Sequence, residues 1–494
     1  MRLRLSSDTT LESLLKPTNL IDNREMLGDR TVFLRQYIRR ALLMLYSFGF
    51  GAIPLAAQCI VDDPGGSKIN PNRPSDSDTP EARFSPLSFL NERLPHWICF
   101  TAGYRTRLEG YSGGSFLPGQ SETYLLTRFR FGMYLTLLPW LHVFAETQDS
   151  DAFWKTPPLA PPYQETWDLR RAYVDLGDTR EGHFGLRVGR QDLNFGDGLL
   201  VGTSYWRNAS HGYDAVEAVS NWDWVNAALF AASPVNILDN GLSHHQPGNN
   251  LYGADAKLTK LVPKGNIEPF LFWRVTPRLE TEEGAAGNLN EVTIGTRAAG
   301  TIRENWDYDS EGALQTGNLG TDRIRAEAWM GIAGYTITGW RFKVRFSERF
   351  DYASGDRNPH DGVHGTFDQL YPNIHDHLGL ADQFARQNIK AWRSGARMWL
   401  LPNWIVAAAW IDFWLASATD GYYNASGTIV ARDPTGHSGT HLADEYDLQT
   451  SYRFDRNLEF GIGLGRVVPK EFLDKTGHRE PYTYPYLMMN YNFF

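Results

Sequence analysis

Long apolar runs and cysteines are both scarce in this sequence of 494 residues. A chain that crosses a bilayer with helices needs repeated apolar runs of about 20 residues, and only the segment 41–57 approaches that length. The two cysteines, Cys59 and Cys99, are too few for a disulfide scaffold or a four-thiolate zinc site, although in an oxidising periplasm they could pair or stay single. The net charge of −9 argues against a general nucleic-acid binder. These absences argue against a helical membrane protein, a disulfide-rich domain and a nucleic-acid-binding protein.

The apolar segment near the N-terminus has the features of a signal peptide. Arg35, Arg39 and Arg40 form a basic region in front of it, and it ends in small residues, which predicts cleavage after Ala57. A genuine membrane anchor is the alternative, but the run is short for one. The next stretch is rich in Asp, Pro, Ser and Asn, a composition that resists packing into a core. We therefore divide the chain into an upstream extension and signal peptide (1–57), a polar periplasmic N-terminal segment (58–95) and a barrel domain (96–494).

From Trp97 onward, apolar and polar residues alternate with period two. In one such run, apolar residues from Leu125 to Leu137 alternate with Arg128 and Arg130. The run is longer than a typical strand of a soluble protein and long enough to cross a bilayer at a tilt. In a soluble sandwich the apolar face would point to the interior, whereas in a membrane barrel it faces lipid and the charged face lines the lumen. The alternation therefore predicts membrane-spanning strands with arginines on the inner face.

Short turns that carry a tryptophan alternate with long polar loops along the chain. Outer-membrane barrels have short periplasmic turns, long external loops and aromatic residues at both interfaces. We predict an all-β fold, a transmembrane antiparallel β-barrel of about 18 strands with short periplasmic turns and long external loops. The connection near 316–322 is shorter than this alternation requires, so two strands could be miscounted there. The turn tryptophans are Trp140, Trp222, Trp306, Trp340 and Trp404.

Charged and aromatic residues on the inner face are the candidate functional residues. A closed barrel satisfies its backbone hydrogen bonds internally, and about 16 to 18 strands leave an aqueous channel. Arginines around such a channel favour anions, and the structural alternative is a salt-bridge ladder that packs the wall. Tyr173 could stack on a sugar ring or belong to the aromatic belt. The predicted pore-lining residues are Arg105, Arg107, Arg128, Arg130, Arg171, Tyr173, Asp175, Arg187, Arg297, Arg325, Arg393, Arg397, Glu445 and Asp447, with Glu146, Glu311 and Glu327 on the same face.

Two short motifs point weakly to other chemistry. The segment 110–114 matches G-x-S-x-G, but a nucleophile elbow needs a helix after the turn and a strand follows here, which favours an external hairpin loop. His375-Asp376-His377 could bind a metal, but no third ligand is obvious in the loop 354–387. We therefore predict no catalytic residue, no metal site and no cofactor. A barrel-borne hydrolase with paired lumen carboxylates and an adhesion protein that works through its external loops stay open as alternatives.

Three stretches of the chain resemble the bacterial alginate-export family of outer-membrane barrels. They are 168–176, 185–202 and 351–370, with the sequences DLRRAYVDL, GLRVGRQDLNFGDGLLVG and DYASGDRNPHDGVHGTFDQL. The strand 445–454 (EYDLQTSYRF) also fits, and the Gly-Arg-Gln triplet around Arg190 is the most specific part. Together with the strand pattern, the resemblance extends over about 95–494.

The resemblance implies a channel with an arginine-rich constriction. The best-known member of the family exports alginate, a polyuronate, through such a constriction. Arg170 matches one of its arginines, Arg171 stands where that member has a glutamate, and Asp192 stands where it has an arginine. The resemblance therefore implies an anion track that is partly retained, for alginate, other acidic sugars or smaller organic anions. We add Arg170, Arg190 and Asp192 to the predicted pore-lining residues.

We predict a passive outer-membrane channel that passes an anionic polysaccharide or oligosaccharide through an arginine-lined lumen. The loop 354–387 is the candidate gate. A general or small-anion porin is the alternative. The expected partners are the anionic sugar polymer or oligosaccharide, outer-membrane lipid and periplasmic secretion proteins, with no nucleic acid.

Overall fold

A computed structural model describes residues 79–493 apart from 158–161, 181, 240, 281–285, 340, 374 and 376. The predicted signal peptide, Cys59 and Trp340 lie outside the described residues. Long strands account for most of the described chain. They are β1 Ile98–Ser112, β2 Ser121–Leu138, β3 Leu141–Phe153, β4 Glu165–Gly177, β5 Gly185–Gln191, β6 Tyr213–Trp222, β7 Val225–Asn236, β8 Asn250–Leu258, β9 Gly265–Glu280, β10 Ala286–Arg303, β11 Trp306–Leu319, β12 Asp322–Ile337, β13 Lys343–Ala353, β14 Ile389–Leu401, β15 Trp404–Leu415, β16 His441–Arg453, β17 Leu458–Pro469 and β18 Tyr482–Asn492.

These strands form one closed antiparallel barrel. Each strand pairs with its neighbours in the chain, and β1 pairs with β18 in a register that sets Tyr104 opposite Tyr491. Because the first and last strands meet, the backbone N–H and C=O groups of the wall can bond within the sheet, as a hydrocarbon surrounding requires. The predicted barrel of about 18 strands is therefore confirmed, since 18 strands close the wall.

The unexpectedly short connection near 316–322 is a tight hairpin. Strand β11 runs to Leu319, β12 begins at Asp322, and these two residues are partners in the ladder. Gly320 adopts a φ of 60°, a left-handed conformation that glycine reaches without steric cost. Since every residue of this connection is described, no pair of strands is hidden there.

The two faces of the wall differ as the alternation predicts. On β17, Phe460, Ile462 and Leu464 point outward and expose 38 %, 54 % and 43 % of their surface. Gly461 and Gly463 between them, and Glu459 before them, are buried toward the lumen. An apolar outer surface is stable only when hydrocarbon covers it, so this face is the lipid-facing one.

Tryptophans mark the end of the barrel where the short turns lie, which we name the turn end. The opposite end, with the long loops, is the loop end. The turn tryptophans of the described chain are all exposed on the outside, as residues of an interfacial aromatic belt are. They are Trp140, Trp222, Trp306 and Trp404.

Two long loops, 192–212 and 354–388, fold back into the lumen, and together we name them the plug. Val201 of the first loop forms a parallel bridge with Tyr371 of the second. Phe384 of the second loop is fully buried, with its ring centroid 4.2 Å from that of Phe413 on β15. A barrel of this size was expected to leave an aqueous channel, but apolar side chains of the plug pack against the wall and occupy much of that space.

The described part of the polar N-terminal segment, from residue 79, lies against the turn end. Helix α1 (Pro86–Asn91) has a proline in its first turn. The Leu87 amide donates to the Phe493 carbonyl at 2.8 Å, and the Tyr491 hydroxyl donates to the Phe84 carbonyl at 2.9 Å. The segment therefore packs beside the seam where β18 closes on β1, although its composition predicted no packed structure.

A second short helix, α2 (Glu471–Lys475), lies in the loop between β17 and β18. Within the described part of the chain, no helix is long and apolar enough to span a membrane.

Candidate functional site

Strands β1 and β2 bring predicted arginines side by side on the lumen wall. Arg105 lies directly opposite Arg128 in the ladder, and Arg107 and Arg130 lie one step to either side on the same face. All of these side chains are buried, with at most 5 % of their surface exposed. Like charges directly opposite each other on neighbouring strands are destabilising. The pair of Arg105 and Arg128 therefore needs compensating partners.

Backbone carbonyls of the plug are those partners. Arg105 donates through Nη1 to the Tyr205 carbonyl at 2.8 Å. Through Nη2 it donates to the carbonyls of Trp206 and Arg207, at 3.1 and 3.0 Å. Arg128 donates through Nη1 to the carbonyls of Tyr205 and Arg207, at 3.1 and 3.2 Å. Neither arginine forms an ion pair with any residue that the structure describes. Carbonyls satisfy the donors without cancelling the charge, so both guanidiniums stay uncompensated cations.

Arg107 and Arg130 have partners on the wall as well as on the plug. Arg107 donates to the Trp206 carbonyl at 2.7 Å, and its guanidinium also contacts the Glu109 carboxylate. Arg130 donates through Nε to Gln148 at 2.7 Å. The charge of Arg107 is therefore balanced locally, unlike that of Arg105.

Asn208 anchors the plug loop at this wall. Its buried side-chain amide donates to the carbonyls of Thr127, Asp151 and Tyr163 at 3.0, 3.1 and 3.0 Å. Because the anchor follows directly after residues 205–207, it fixes the carbonyls that the arginines use. The sequence predicted a gate in the loop 354–387, but the loop that contacts these arginines is 192–212.

A β-bulge turns two consecutive arginines of β4 into the lumen. Glu146 on β3 pairs with Arg171, and the next pair skips Arg170, so both side chains are buried on the inner side. Arg171 donates to both carboxylate oxygens of Glu146, at 2.9 and 2.8 Å, and Arg170 reaches the same carboxylate at 3.3 Å. Alternation alone would have placed only one of the two arginines inside.

Asp192, directly after β5, completes this cluster. Its Oδ1 lies 2.8 Å from Arg170 Nη2, and its Oδ2 lies 3.7 Å from Arg171 Nη1. Burial pushes the pKa of Asp192 up, but the Arg170 and Arg171 guanidiniums outweigh burial and hold that pKa below its usual value. Asp192 is therefore an anion, and with Glu146 it offsets the two arginines that the bulge turns inward.

Tyr173 is enclosed rather than open to a ligand. The Arg187 guanidinium lies 4.0 Å from the centre of the Tyr173 ring, and the Phe144 ring packs at 5.3 Å. Arg187 in turn makes a bidentate pair with Asp175, at 2.7 and 2.9 Å. The Tyr173 ring lies buried in the lumen wall. It is therefore neither an open surface on which a sugar ring could stack nor part of the lipid-facing aromatic belt.

Arginines on the far wall are held by carboxylates. Arg297 on β10 donates to both oxygens of Asp309, at 2.9 and 2.5 Å, and lies 3.4 Å from Glu268. Arg349 on β13 donates to both oxygens of Asp351, at 2.5 and 2.8 Å. The same period-two alternation that found Arg297 identifies the lumen residues that the sequence analysis did not name, which are Asp255, Glu268, Arg274, Glu291, Asp309, Arg345, Arg349 and Asp351.

The predicted carboxylates Glu445 and Asp447 on β16 hold the second plug loop. Glu445 accepts a hydrogen bond from the Ala381 amide at 2.9 Å, and Asp447 accepts one from the Leu380 amide at 3.2 Å. Both carboxylates are buried. They therefore serve as acceptors for the backbone of the plug.

Arg190, Arg325 and Glu327 do not lie in the lumen, which corrects the prediction for these three residues. Arg190 shares the outer face of β5 with Val188, which is 39 % exposed, and pairs with Asp214 at 2.8 Å. Arg325 shares the outer face of β12 with Trp329, and Glu327 lies between them on that face. All of these charges lie close to the loop end, where an outward charge reaches the aqueous interface and avoids the hydrocarbon.

The histidines of the His375-Asp376-His377 motif have separate partners. His377 is buried, with Nε2 3.1 Å from the Asp197 carbonyl and Nδ1 3.2 Å from Arg349 Nη1. Burial and the Arg349 charge lower the pKa of His377 well below its usual value, so the ring is neutral. His375 stacks on Trp206 instead, with ring centroids 4.0 Å apart, and Asp376 lies outside the described residues. The two imidazoles therefore do not converge on one metal.

A second group of possible metal ligands lies on the outer face near the loop end. It consists of Asp412, His441 and Asp444. Lys470 Nζ lies 2.6 Å from Asp444, and His441 Nε2 lies 2.8 Å from Asp412. The carboxylates thus already have cationic or hydrogen-bonding partners from the chain.

Comparison with known proteins agrees with this architecture. A family model described as Alginate export matches residues 96–484. Among solved structures, OpdK from Pseudomonas aeruginosa superposes with a TM-score of 0.54 at 10 % identity, covering 80 % of this chain and 97 % of that one. OpdQ and OccD3 (OpdP) from the same organism each give a TM-score of 0.53, at 11 % and 10 % identity, covering 80 % and 89 % of this chain and 97 % and 99 % of theirs. At this identity the likeness shows the fold alone. No curated protein sequence matches the chain.

Proposed function

Because the chain belongs to the alginate export family, we propose that it passes an anionic polysaccharide or oligosaccharide by passive diffusion along the arginines of its lumen. The protein is a channel of the bacterial outer membrane, as the family and the closed barrel indicate. The nature of the solute is the proposed part. Its support comes from the way in which the lumen arginines are held.

The pair of Arg105 and Arg128 carries the proposal. A wall that needed these residues only for packing would gain by giving each a carboxylate partner, as the far wall does for Arg349 with Asp351. Instead, both guanidiniums face the neutral carbonyls of residues 205–207. A carboxylate of a passing solute makes stronger charge-assisted hydrogen bonds than a carbonyl does. An acidic solute can therefore compete with the plug for these donors.

The cluster around Asp192 explains why the affinity for the solute stays moderate. Arg170 and Arg171 are offset by Glu146 and Asp192, so this part of the lumen carries little net charge. Conduction needs sites that attract a solute and still release it. Two uncompensated arginines beside a balanced cluster meet that condition for a solute with repeated acidic groups.

Ion selectivity in planar bilayers tests the proposal. The wild-type channel should show a reversal potential on the anion side in a KCl gradient. The double variant Arg105→Gln with Arg128→Gln should move it toward cations, because glutamine keeps a donor for the plug carbonyls and removes the charge. Arg325→Gln is the matched control, since this arginine lies on the outer face, and it should leave the selectivity unchanged. A channel that strongly prefers cations, or a double variant with the selectivity of the wild type, would contradict the proposal.

A small-anion porin is the second candidate, and the plug favours it. A polymer can pass only if the loops 192–212 and 354–388 move aside, whereas small anions need less space. Liposome swelling separates the two: entry of a uronic acid hexamer at a rate comparable to that of acetate supports the polymer channel. Entry of acetate alone supports the small-anion porin.

A further inference from the structure

A group of basic side chains on the outside of the barrel, at the loop end, has no partner from the chain. Among the residues that the structure describes, none of the group forms a side-chain hydrogen bond or an ion pair, and all are exposed. Other basic residues at this end are paired, since Arg190 lies 2.8 Å from Asp214 and Lys470 lies 2.6 Å from Asp444. We name the unpaired group the basic patch, and it consists of Arg323 and Arg325 on β12, Arg357 in the loop after β13, and Lys390 on β14.

Lys390 fixes the depth of the basic patch in the membrane. It lies directly opposite Tyr352 in one ladder and Trp414 in the other. Trp329 lies opposite Tyr352 and extends this row on the outer face. The two tryptophans of the row are 45 % and 38 % exposed. Because tryptophan and tyrosine are enriched where the bilayer meets water, the row marks the edge of the hydrocarbon, and Lys390 lies at the level of the lipid headgroups.

The arginines of the basic patch lie on the aqueous side of this aromatic row. Arg325 is on the same outer face of β12 as Trp329, about 13 Å nearer the loop end along the strand, and Arg323 lies beyond it. Arg357 follows the end of β13 and interacts electrostatically with Tyr352. The patch therefore reaches from the headgroup level into the water above it.

Few carboxylates offset the charge of the basic patch. Between Trp329 and the loop end, Glu327 is the one carboxylate on the outer face of β12, and β14 contains none. The loop residues Asp356 and Asp361 accept hydrogen bonds from backbone amides of their own loop, at 2.6 and 2.9 Å. Four cations against one outward carboxylate leave the patch positive, so an anion from outside the chain can bind there.

We propose that the basic patch binds the phosphate groups of an anionic lipid in the outer leaflet of the outer membrane. Basic side chains at a bilayer surface attract anionic headgroups, and long side chains such as Lys390 extend along the wall to reach them. Below the aromatic row, Trp392 and Phe350 pack together on the outer face, where acyl chains can cover them. A lipid uses both the charge and the apolar wall, whereas a soluble anion uses only the charge.

Native mass spectrometry of the full chain, released from micelles of a neutral detergent, tests this proposal. The probe is lipid A, a glycolipid that carries two phosphates, compared with the same lipid after both phosphates have been removed. Lipid A should bind about tenfold or more tightly than the dephosphorylated form, because several basic side chains act on its phosphates. Excess inorganic phosphate should not displace it, since a free anion has no acyl chains to bury.

Substitutions of opposite sign locate the site. Arg357→Gln combined with Lys390→Gln should weaken the binding of lipid A by about 25-fold, since each basic residue at the headgroups contributes about fivefold. Glu327→Gln should strengthen the binding, because the patch loses its one outward carboxylate. Lys260→Gln is the matched control, since this lysine is 64 % exposed at the turn end, and it should bind lipid A as the wild type does.

The outcomes keep the lipid site and the proposed function apart. A double variant that binds lipid A as tightly as the wild type, or equal binding of the dephosphorylated lipid, would overturn the proposal. Displacement of lipid A by inorganic phosphate or by trigalacturonate would also overturn it, because the patch would then be a site for soluble anions. No residue of the patch lines the lumen, so the double variant should keep the wild-type ion selectivity in bilayers of neutral lipid.

The proposed function is therefore judged on its own measurement.

Discussion

Two groups of buried arginines in different sectors of the lumen are held in different ways. Arg105 and Arg128 donate to the neutral carbonyls of residues 205–207, at distances from 2.8 to 3.2 Å. Arg349 donates to both oxygens of the Asp351 carboxylate, at 2.5 and 2.8 Å. The guanidiniums of the first group keep their charge, while the charge of Arg349 is cancelled. We name the first two the carbonyl-held arginines, and Arg349 with Arg297 the carboxylate-held arginines.

The difference distinguishes arginines that stabilise the barrel wall from arginines that can bind a solute. A buried ion pair is a poor source of net stability, but removing one member leaves an uncompensated charge in the interior. The carboxylate-held arginines are therefore fixed parts of the wall. The carbonyl-held arginines depend on a loop that can move, and when it moves they become sites for an anion. The comparison predicts different consequences for the two sectors when the partners are removed.

Removing a carboxylate should have the largest effect on stability. In Asp351→Asn the buried Arg349 loses its counter-charge while the side chain keeps its size. We expect a loss of about 3 to 5 kcal/mol in the free energy of unfolding, the cost of breaking a buried pair. The measurement is unfolding in urea with the protein in detergent micelles, followed by tryptophan fluorescence.

An exposed pair is the control for that variant. Asp223 lies 3.8 Å from Lys260 in a pair whose side chains are 92 % and 64 % exposed. Pairs of this kind contribute little to the free energy of unfolding, so Asp223→Asn should unfold at the same urea concentration as the wild type. If Asp351→Asn also unfolds with the wild type, the carboxylate-held arginines are not structural and the comparison loses its basis.

The architecture could be predicted from the sequence because one physical rule acts on every strand. A strand between lipid and lumen must alternate, so about 18 segments and their turns were visible in the chain. The hairpin at Gly320 interrupted the expected rhythm of turns and loops but not the alternation within β11 and β12. Register then follows from the same alternation, because a shift by one residue would put every apolar side chain inside.

The site could be predicted only in part, because charge alone does not identify a face. Arg325 carries a charge, as a lumen residue often does, but it lies an even number of residues from Trp329 and therefore on the same outer face of the strand. Arg170 follows the alternation that predicts an outer face, but a bulge turns it inward beside Arg171. Alternation cannot detect a bulge, and it cannot detect that a carbonyl 100 residues away in the chain is the partner of Arg105. The contacts of the plug therefore could not be predicted from the sequence.

Loosening the plug should affect the carbonyl-held arginines selectively. In Asn208→Ala, three buried carbonyls lose the donor that anchors the loop 192–212. We expect the closed plug to be destabilised by about 2 kcal/mol, the cost of leaving buried acceptors unsatisfied. Single-channel recordings should then show a larger conductance and a stronger preference for anions, because Arg105 and Arg128 are released.

Asn424→Ala is the matched control for this variant. The Asn424 side chain accepts hydrogen bonds only within its own turn, from the amides of Ser426 and Thr428, and touches no arginine of the wall. Its conductance should equal that of the wild type. An unchanged conductance in Asn208→Ala would show that the loop 192–212 does not limit the path.

Acid should loosen the same loop to a smaller extent. His211 is buried, and burial together with the nearby Arg207 lowers its pKa to about 4. When the loop is released, the ring regains a pKa of about 6.5. The released state therefore binds a proton more readily, so the closed plug loses stability as the pH falls from about 6.5 toward 4, by about 1 to 2 kcal/mol at pH 5. Conductance should rise over this interval and level off below it. His211→Gln cannot take up the proton, so its conductance should stay flat across the same interval, and a variant that retains the wild-type rise would assign the pH dependence to another group.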